Sequence, residues 1–121
     1  MLIKYCYCIL FVLLLSSVVA NVTDTCVCSD ICKDDEKELL GQGTWRLLHG
    51  IVENVKRTAE TEILFKNLVL SLQQLYPCAE CRKHLQHMSF ADIEMTALWT
   101  CSFHNKVNQR LNKTLYDCNT F

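Results

Sequence analysis

Glycine and proline are scarce, at 3 and 1 of 121 residues. That excludes linker-rich and low-complexity architectures and leaves room for one domain. A dominant charge is missing too: 12 Lys+Arg stand against 13 Asp+Glu, for a net charge of −1. Without a basic footprint the chain has no grip on a phosphate backbone, so nucleic acid is excluded as a partner. Beyond the first 20 residues no apolar run approaches the roughly 20 residues of a membrane-spanning helix. No stretch keeps the two-residue period of a strand for long. Cysteine, by contrast, is abundant, with 9 in the chain.

Of the first 20 residues, 17 are hydrophobic. Lys4, the apolar run from Tyr5 to Leu15, and Ser16-Ser17-Val18-Val19-Ala20 follow the order of a signal peptide or signal anchor, with cleavage expected after Ala20. The membrane is a partner only if this leader is retained. Either way the rest of the chain enters an oxidising compartment, where disulfides persist. Two glycosylation sequons, at Asn21 and Asn112, accord with that. Past the leader seven cysteines remain: Cys26, Cys28, Cys32, Cys78, Cys81, Cys101 and Cys118. An odd number argues for an intermolecular bridge or a reactive thiol rather than a purely structural scaffold.

Three segments are expected: the leader at 1–20, a flexible cysteine-containing arm at 21–38, and a folded domain at 39–121. The arm lacks hydrophobic periodicity. The domain reads as all-α, an antiparallel four-helix bundle with short connections. A first helix over 39–55 repeats Thr44, Leu47/Leu48, Ile51 and Val55. A second over 61–76 repeats Leu64/Phe65, Leu68, Leu72 and Leu75 and ends at Pro77. A third, short helix runs from 77 or 78 to about Met88. Ser89, followed by Asp92, resembles a cap that opens a fourth helix reaching about Leu111, with Ile93, Ala97, Val107 and Leu111 on its core face.

Cys78-Ala79-Glu80-Cys81 falls on the first turn of the third helix. There the unpaired N–H groups and the helix dipole favour a thiolate, the reactive form in disulfide exchange. Along the fourth helix Cys101, His104, Asn105, Asn108 and Asn112 share one face, and on the first helix Trp45 and His49 are one turn apart. Two such polar-aromatic stripes beside a dithiol suggest an electron-accepting cofactor lodged in the bundle, a flavin being one that fits. A rival uses the same atoms. Cys78-x2-Cys81, then 19 residues, then Cys101-x2-His104 is spaced like a Cys3His zinc site. A small secreted, disulfide-stapled module without turnover is a further alternative.

Three segments in order resemble the Erv/ALR family of FAD-linked sulfhydryl oxidases: Gly41-Gln42-Gly43-Thr44-Trp45-Arg46-Leu47-Leu48-His49, Leu75-Tyr76-Pro77-Cys78-Ala79-Glu80-Cys81, and Trp99-Thr100-Cys101-Ser102-Phe103-His104-Asn105-Lys106-Val107-Asn108 through Lys113 to Cys118. The secretory-pathway branch is the more similar one. The resemblance implies a helical bundle cradling FAD, usually a homodimer, that oxidises client dithiols and passes electrons to O2, giving H2O2. It implies Cys81 as the flavin-proximal cysteine and Cys78 as the outer one that exchanges with incoming thiols. Gly41, Gln42, Thr44, Trp45, His49, Cys101, His104, Asn105, Asn108, Lys113 and Tyr116 match cofactor-binding positions, with no metal. Cys101 and Cys118 match a structural disulfide. Cys26, Cys28 and Cys32 are left as candidates for a shuttle dithiol that relays electrons from a thiol client or a disulfide-isomerase-like carrier, in the endoplasmic reticulum lumen. Two departures stand out. Gln42 occupies a position where the family often has Arg, and the short fifth helix that usually covers the flavin is expected to be missing. The Asn112 sequon, beside Lys113, is expected to be unmodified.

Overall fold

The computed structural model describes residues 33–90 and 92–120. The leader, the Asn21 sequon and Cys26, Cys28 and Cys32 of the arm lie outside the described residues. Four α-helices follow one another: α1 (Asp34–Asn54), α2 (Ala59–Leu75), α3 (Ala79–Gln86) and α4 (Ala97–Arg110), with a short 3-10 turn at Cys118–Thr120. No strand occurs among the described residues.

α1 starts at Asp34, inside the segment read as arm, and not at 39. No side chain caps it, but Asp34, Asp35 and Glu36 fill its first turn, where carboxylates offset the positive end of the helix dipole. α2 opens on a reciprocal capping box, with Thr61 N donating to Thr58 Oγ1 and Thr58 N to Thr61 Oγ1. It ends at Leu75, because Pro77 forces the preceding Tyr76 out of the helical region (ψ 126°).

α4 begins eight residues later than Ser89. Thr96 is the cap, accepting from Trp99 N at 3.1 Å. The intervening segment lays Phe90, Ile93 and Met95 against the core instead of coiling. Of the expected core row, Ile93 and Val107 pack against the core while Leu111 is 46% exposed, and the buried places on α4 go to Thr100, Cys101, Phe103 and Asn108. Leu64 and Leu75 of α2 are likewise exposed, and Phe65 and Val69 take the buried places.

α2 packs on α3 and α1 on α4. Leu48, Phe65, Val69, Tyr76, Cys78, Leu85, Met95 and Phe103 form the core. Phe103 joins the layers by edge-on contacts with Trp45 and Phe90 and a tilted one with Trp99. Side-chain clasps hold the short α3. Gln73 Nε2 donates to Leu85 O and Gln86 Nε2 to Gln73 O, both at 2.9 Å, while Arg82 Nη1 donates to Tyr76 O at 2.7 Å.

Candidate active site

Cys78 and Cys81 are joined in a disulfide at the start of α3. Cys78 is the cap residue, its sulfur accepting from Cys81 N at 3.2 Å. The two sulfurs differ in surroundings. Cys78 is fully buried in the core, whereas Cys81 lines a cavity of about 690 Å³ bounded by α1, α3 and α4.

The cavity wall is built from residues that share helix faces. α1 contributes Asp34, Lys37, Glu38, Gly41, Gln42, Thr44, Trp45 and Arg46; α4 and the turn after it contribute Phe103, His104, Val107, Asn108, Arg110, Leu111 and Lys113. Trp45 and His104 stack nearly parallel at 4.0 Å between ring centroids, and Tyr116 tilts against His104 at 5.4 Å. Thr44 Oγ1 donates to Leu40 O at 2.8 Å and accepts from Tyr76 Oη at 3.0 Å, fixing the phenol on the wall. Burial pushes the Tyr76 phenol up.

Of the residues expected at a cofactor site, Gly41, Gln42, Thr44, Trp45, Cys81, His104, Asn108, Lys113 and Tyr116 meet on this one cavity. His49, Cys101 and Asn105 stand outside its wall. His49 Nε2 lies 3.4 Å from His104 Nδ1 and supports that ring from behind. Asn105 clamps the C-terminal segment: Tyr116 N donates to Asn105 Oδ1 at 2.9 Å, and Asn105 Nδ2 donates to Tyr116 O at 2.8 Å. Cys101 is buried and bonded to Cys118. These two disulfides take up the sulfurs that a Cys3His zinc set would need, and among the described residues no cluster of metal-ligating side chains is present.

Lys37, Glu38, Arg46 and Tyr76 on the wall were missed. Continuing the three- and four-residue spacing from Trp45 back through Gly41 reaches Lys37 and Glu38, so the signal existed once α1 was extended past residue 39. Asn112 is exposed and has φ 54°, the left-handed conformation that ends many helices.

His104 is held neutral. Its pKa is pushed down to about 4 by burial first, then by the His49 and Lys113 charges. The unfolded imidazole protonates near 6.5, so the stability this group contributes is present above pH 6.5 and is lost as the pH falls through about 4. Urea midpoints at pH 7 and pH 4.5 measure it. The acid-side loss is expected to shrink in His104→Asn, and an equal loss in both proteins would contradict the assignment.

Aromatic rings, a neutral imidazole, a disulfide sulfur and a wall where Arg46 and Arg110 add to the Lys37–Glu80 and Lys113–Glu38 pairs suit a planar redox molecule with an anionic tail. Comparison with known proteins points the same way. The Erv1 / Alr family profile matches residues 42–121. FAD-linked sulfhydryl oxidase ERV2 of Saccharomyces cerevisiae is 30% identical over 95 residues, covering 72% of this chain and 48% of that protein. FAD-linked sulfhydryl oxidase ERV1 of Arabidopsis thaliana is 32% identical over 90 residues, covering 68% and 47%. The crystal structure of a double cysteine-to-serine mutant of yeast Erv1 superposes with a TM-score of 0.60 at 29% identity, over 68% of this chain and 59% of that one. The chain spans about half the length of the curated relatives it matches.

Proposed function

Because the chain belongs to the Erv1/Alr family, we propose that it is an FAD-dependent sulfhydryl oxidase: it converts client dithiols to disulfides and passes the electrons to O2, giving H2O2. The observation that carries this reading is the Cys78–Cys81 disulfide at a helix N-terminus, with only Cys81 opening into a cavity lined by aromatic rings and by charges of both signs.

The residues present fit FAD. Trp45, Tyr76, His104 and Phe103 offer ring faces and edges, and Arg46, Arg110 and Lys113 offer positive charge for a pyrophosphate. Bound there, FAD supplies a two-electron acceptor that O2 reoxidises. The chain's own part is thiol chemistry. A client thiolate attacks Cys78 Sγ, the Cys78–Cys81 bond breaks, and Cys81 leaves as a thiolate stabilised by the first turn of α3. A second client thiolate then attacks the client sulfur of the mixed disulfide and releases Cys78. The client has lost two electrons and the cysteine pair has gained them. Since Cys78 is 0% exposed, the attack requires local opening around it. Asn108, 5% exposed on the wall, and neutral His104 add polar contacts for the cofactor without adding positive charge.

The relay from clients, including a disulfide-isomerase-like carrier, is assigned to Cys26, Cys28 and Cys32. The leader and the cysteine usage support an oxidising secretory compartment, and the resemblance to the secretory-pathway branch supports the lumen of the endoplasmic reticulum. The homodimer is proposed from the family; Leu47 of α1 and Ile63, Leu64 and Leu70 of α2 are exposed apolar side chains open to a second copy. The test is an oxygen electrode with dithiothreitol as substrate. Oxygen uptake matched by peroxide, from a yellow protein, is expected. A colourless protein that leaves oxygen untouched would overturn the reading.

A further inference from the structure

Glu80 stands between the two redox cysteines, in the first turn of α3. A carboxylate there works against the reduced pair. When the disulfide takes up two electrons and two protons it becomes two thiols, and Cys81 must release its proton to solvent to act as a nucleophile. Its thiolate then shares one helix N-terminus with the Glu80 charge.

The fold answers this from α1. Lys37 Nζ donates to Glu80 Oε2 at 2.9 Å and lies 3.7 Å from Asp34 Oδ1. Lys37, Glu80 and Cys81 line the same cavity. Glu80 is held below the usual carboxylate range by the Lys37 hydrogen bond and charge, so the pair stays ionised at neutral pH. The other charged groups around this cavity are Asp34 and Glu38 of α1, His84 of α3, and Arg110 and Lys113 beyond. Arg46 sits further along α1, and Lys113 is itself paired with Glu38. Lys37 thus contacts the Cys-x-x-Cys turn directly from another helix.

We propose that Lys37 is a positioning residue for the redox pair: by neutralising Glu80 it leaves the first turn of α3 free to stabilise the Cys81 thiolate. The inference rests on the oxidase reading and extends it to a residue ahead of the 42–121 family match.

The test is the pH dependence of iodoacetamide alkylation at Cys81, read by peptide mass on the full chain reduced under nitrogen. Lys37→Gln is expected to raise the midpoint, lowering the acid dissociation constant roughly threefold to fivefold, a modest effect because the pair is partly solvated. Glu80→Gln is expected to shift it the opposite way, and the double variant to return to within about twofold of wild type. A purely structural tie would move both single variants in one direction with no return in the double variant. That pattern, or no shift in either single variant, overturns the proposal. If Lys37→Gln fails to fold, Lys37→Arg must hold the midpoint and Glu80→Gln must still lower it. A colourless protein inert to oxygen would defeat the oxidase reading without touching these midpoints, so the two failures are distinguishable.

Discussion

Cys81→Ser is expected to lower dithiol oxidation by on the order of 1,000-fold or more, while the flavin absorption of the purified protein is retained. A serine oxygen can neither form nor break the bond to Cys78, and serine nearly preserves the volume of the side chain, so the cavity wall stays intact. Cys81 lies at the third helical position of α3 with its backbone N–H on the Cys78 sulfur. That N–H and the cap geometry do not depend on the substituted sulfur. Oxygen uptake with dithiothreitol, alongside the visible spectrum, measures the effect. A variant that keeps a tenth of the activity would mean that electrons leave through another group. A variant that loses its colour would mean that Cys81 acts by holding the cofactor.

The second large effect is on stability. Converting Cys101 and Cys118 to serine together is expected to cost about 3 kcal/mol, the value for a cross-link closing a loop of this size. The bridge spans a sequence separation of 17 and ties the C-terminal segment back to α4. Against a total stability of roughly 5–15 kcal/mol this is a large share. It would lower the urea midpoint by about 1–3 M at the slope usual for a small domain. Both cysteines are changed at once because a lone thiol would invite wrong pairing with the remaining cysteines. Asn105 offers a partial substitute, since its side-chain amide holds Tyr116 by two hydrogen bonds that the variant retains. A loss under about 1 kcal/mol would show that this clamp, and not the bridge, fixes the segment.

Helix existence was legible wherever one local signal decided it. Pro77 stops α2, and the Cys-x-x-Cys pair does begin α3. Boundaries failed where two signals competed. Ser89 and Thr96 are both fit to cap a helix, and the choice fell to Thr96 because Phe90, Ile93 and Met95 are drawn to the core between them. At the start of α1 the residues 34–38 show no apolar period, yet they coil, stabilised by charge at the dipole and not by packing. That error hid Lys37 and Glu38, which border the cavity.

Burial was the least legible layer. A helix shows several leucines at helical spacing, and only the arrangement of the neighbouring helices decides that Phe65 and Val69 go inside while Leu64 and Leu75 stay out. The polar stripe on α4 was real, but its members divide by a few tens of degrees around the helix. His104 and Asn108 face the cavity, while Asn105 turns to the C-terminal segment and Cys101 to its disulfide partner.

In the proposed reaction the Cys78–Cys81 pair exchanges electrons with a flavin held in the adjoining cavity. An anaerobic titration of the purified chain with dithiothreitol, followed in the visible spectrum, tests it most directly. The oxidised flavin bands are expected to bleach as dithiol is added and to return when air is admitted, whereas Cys81→Ser keeps the bands but does not bleach. A wild-type protein with no flavin bands, or with bands indifferent to dithiol, would contradict it.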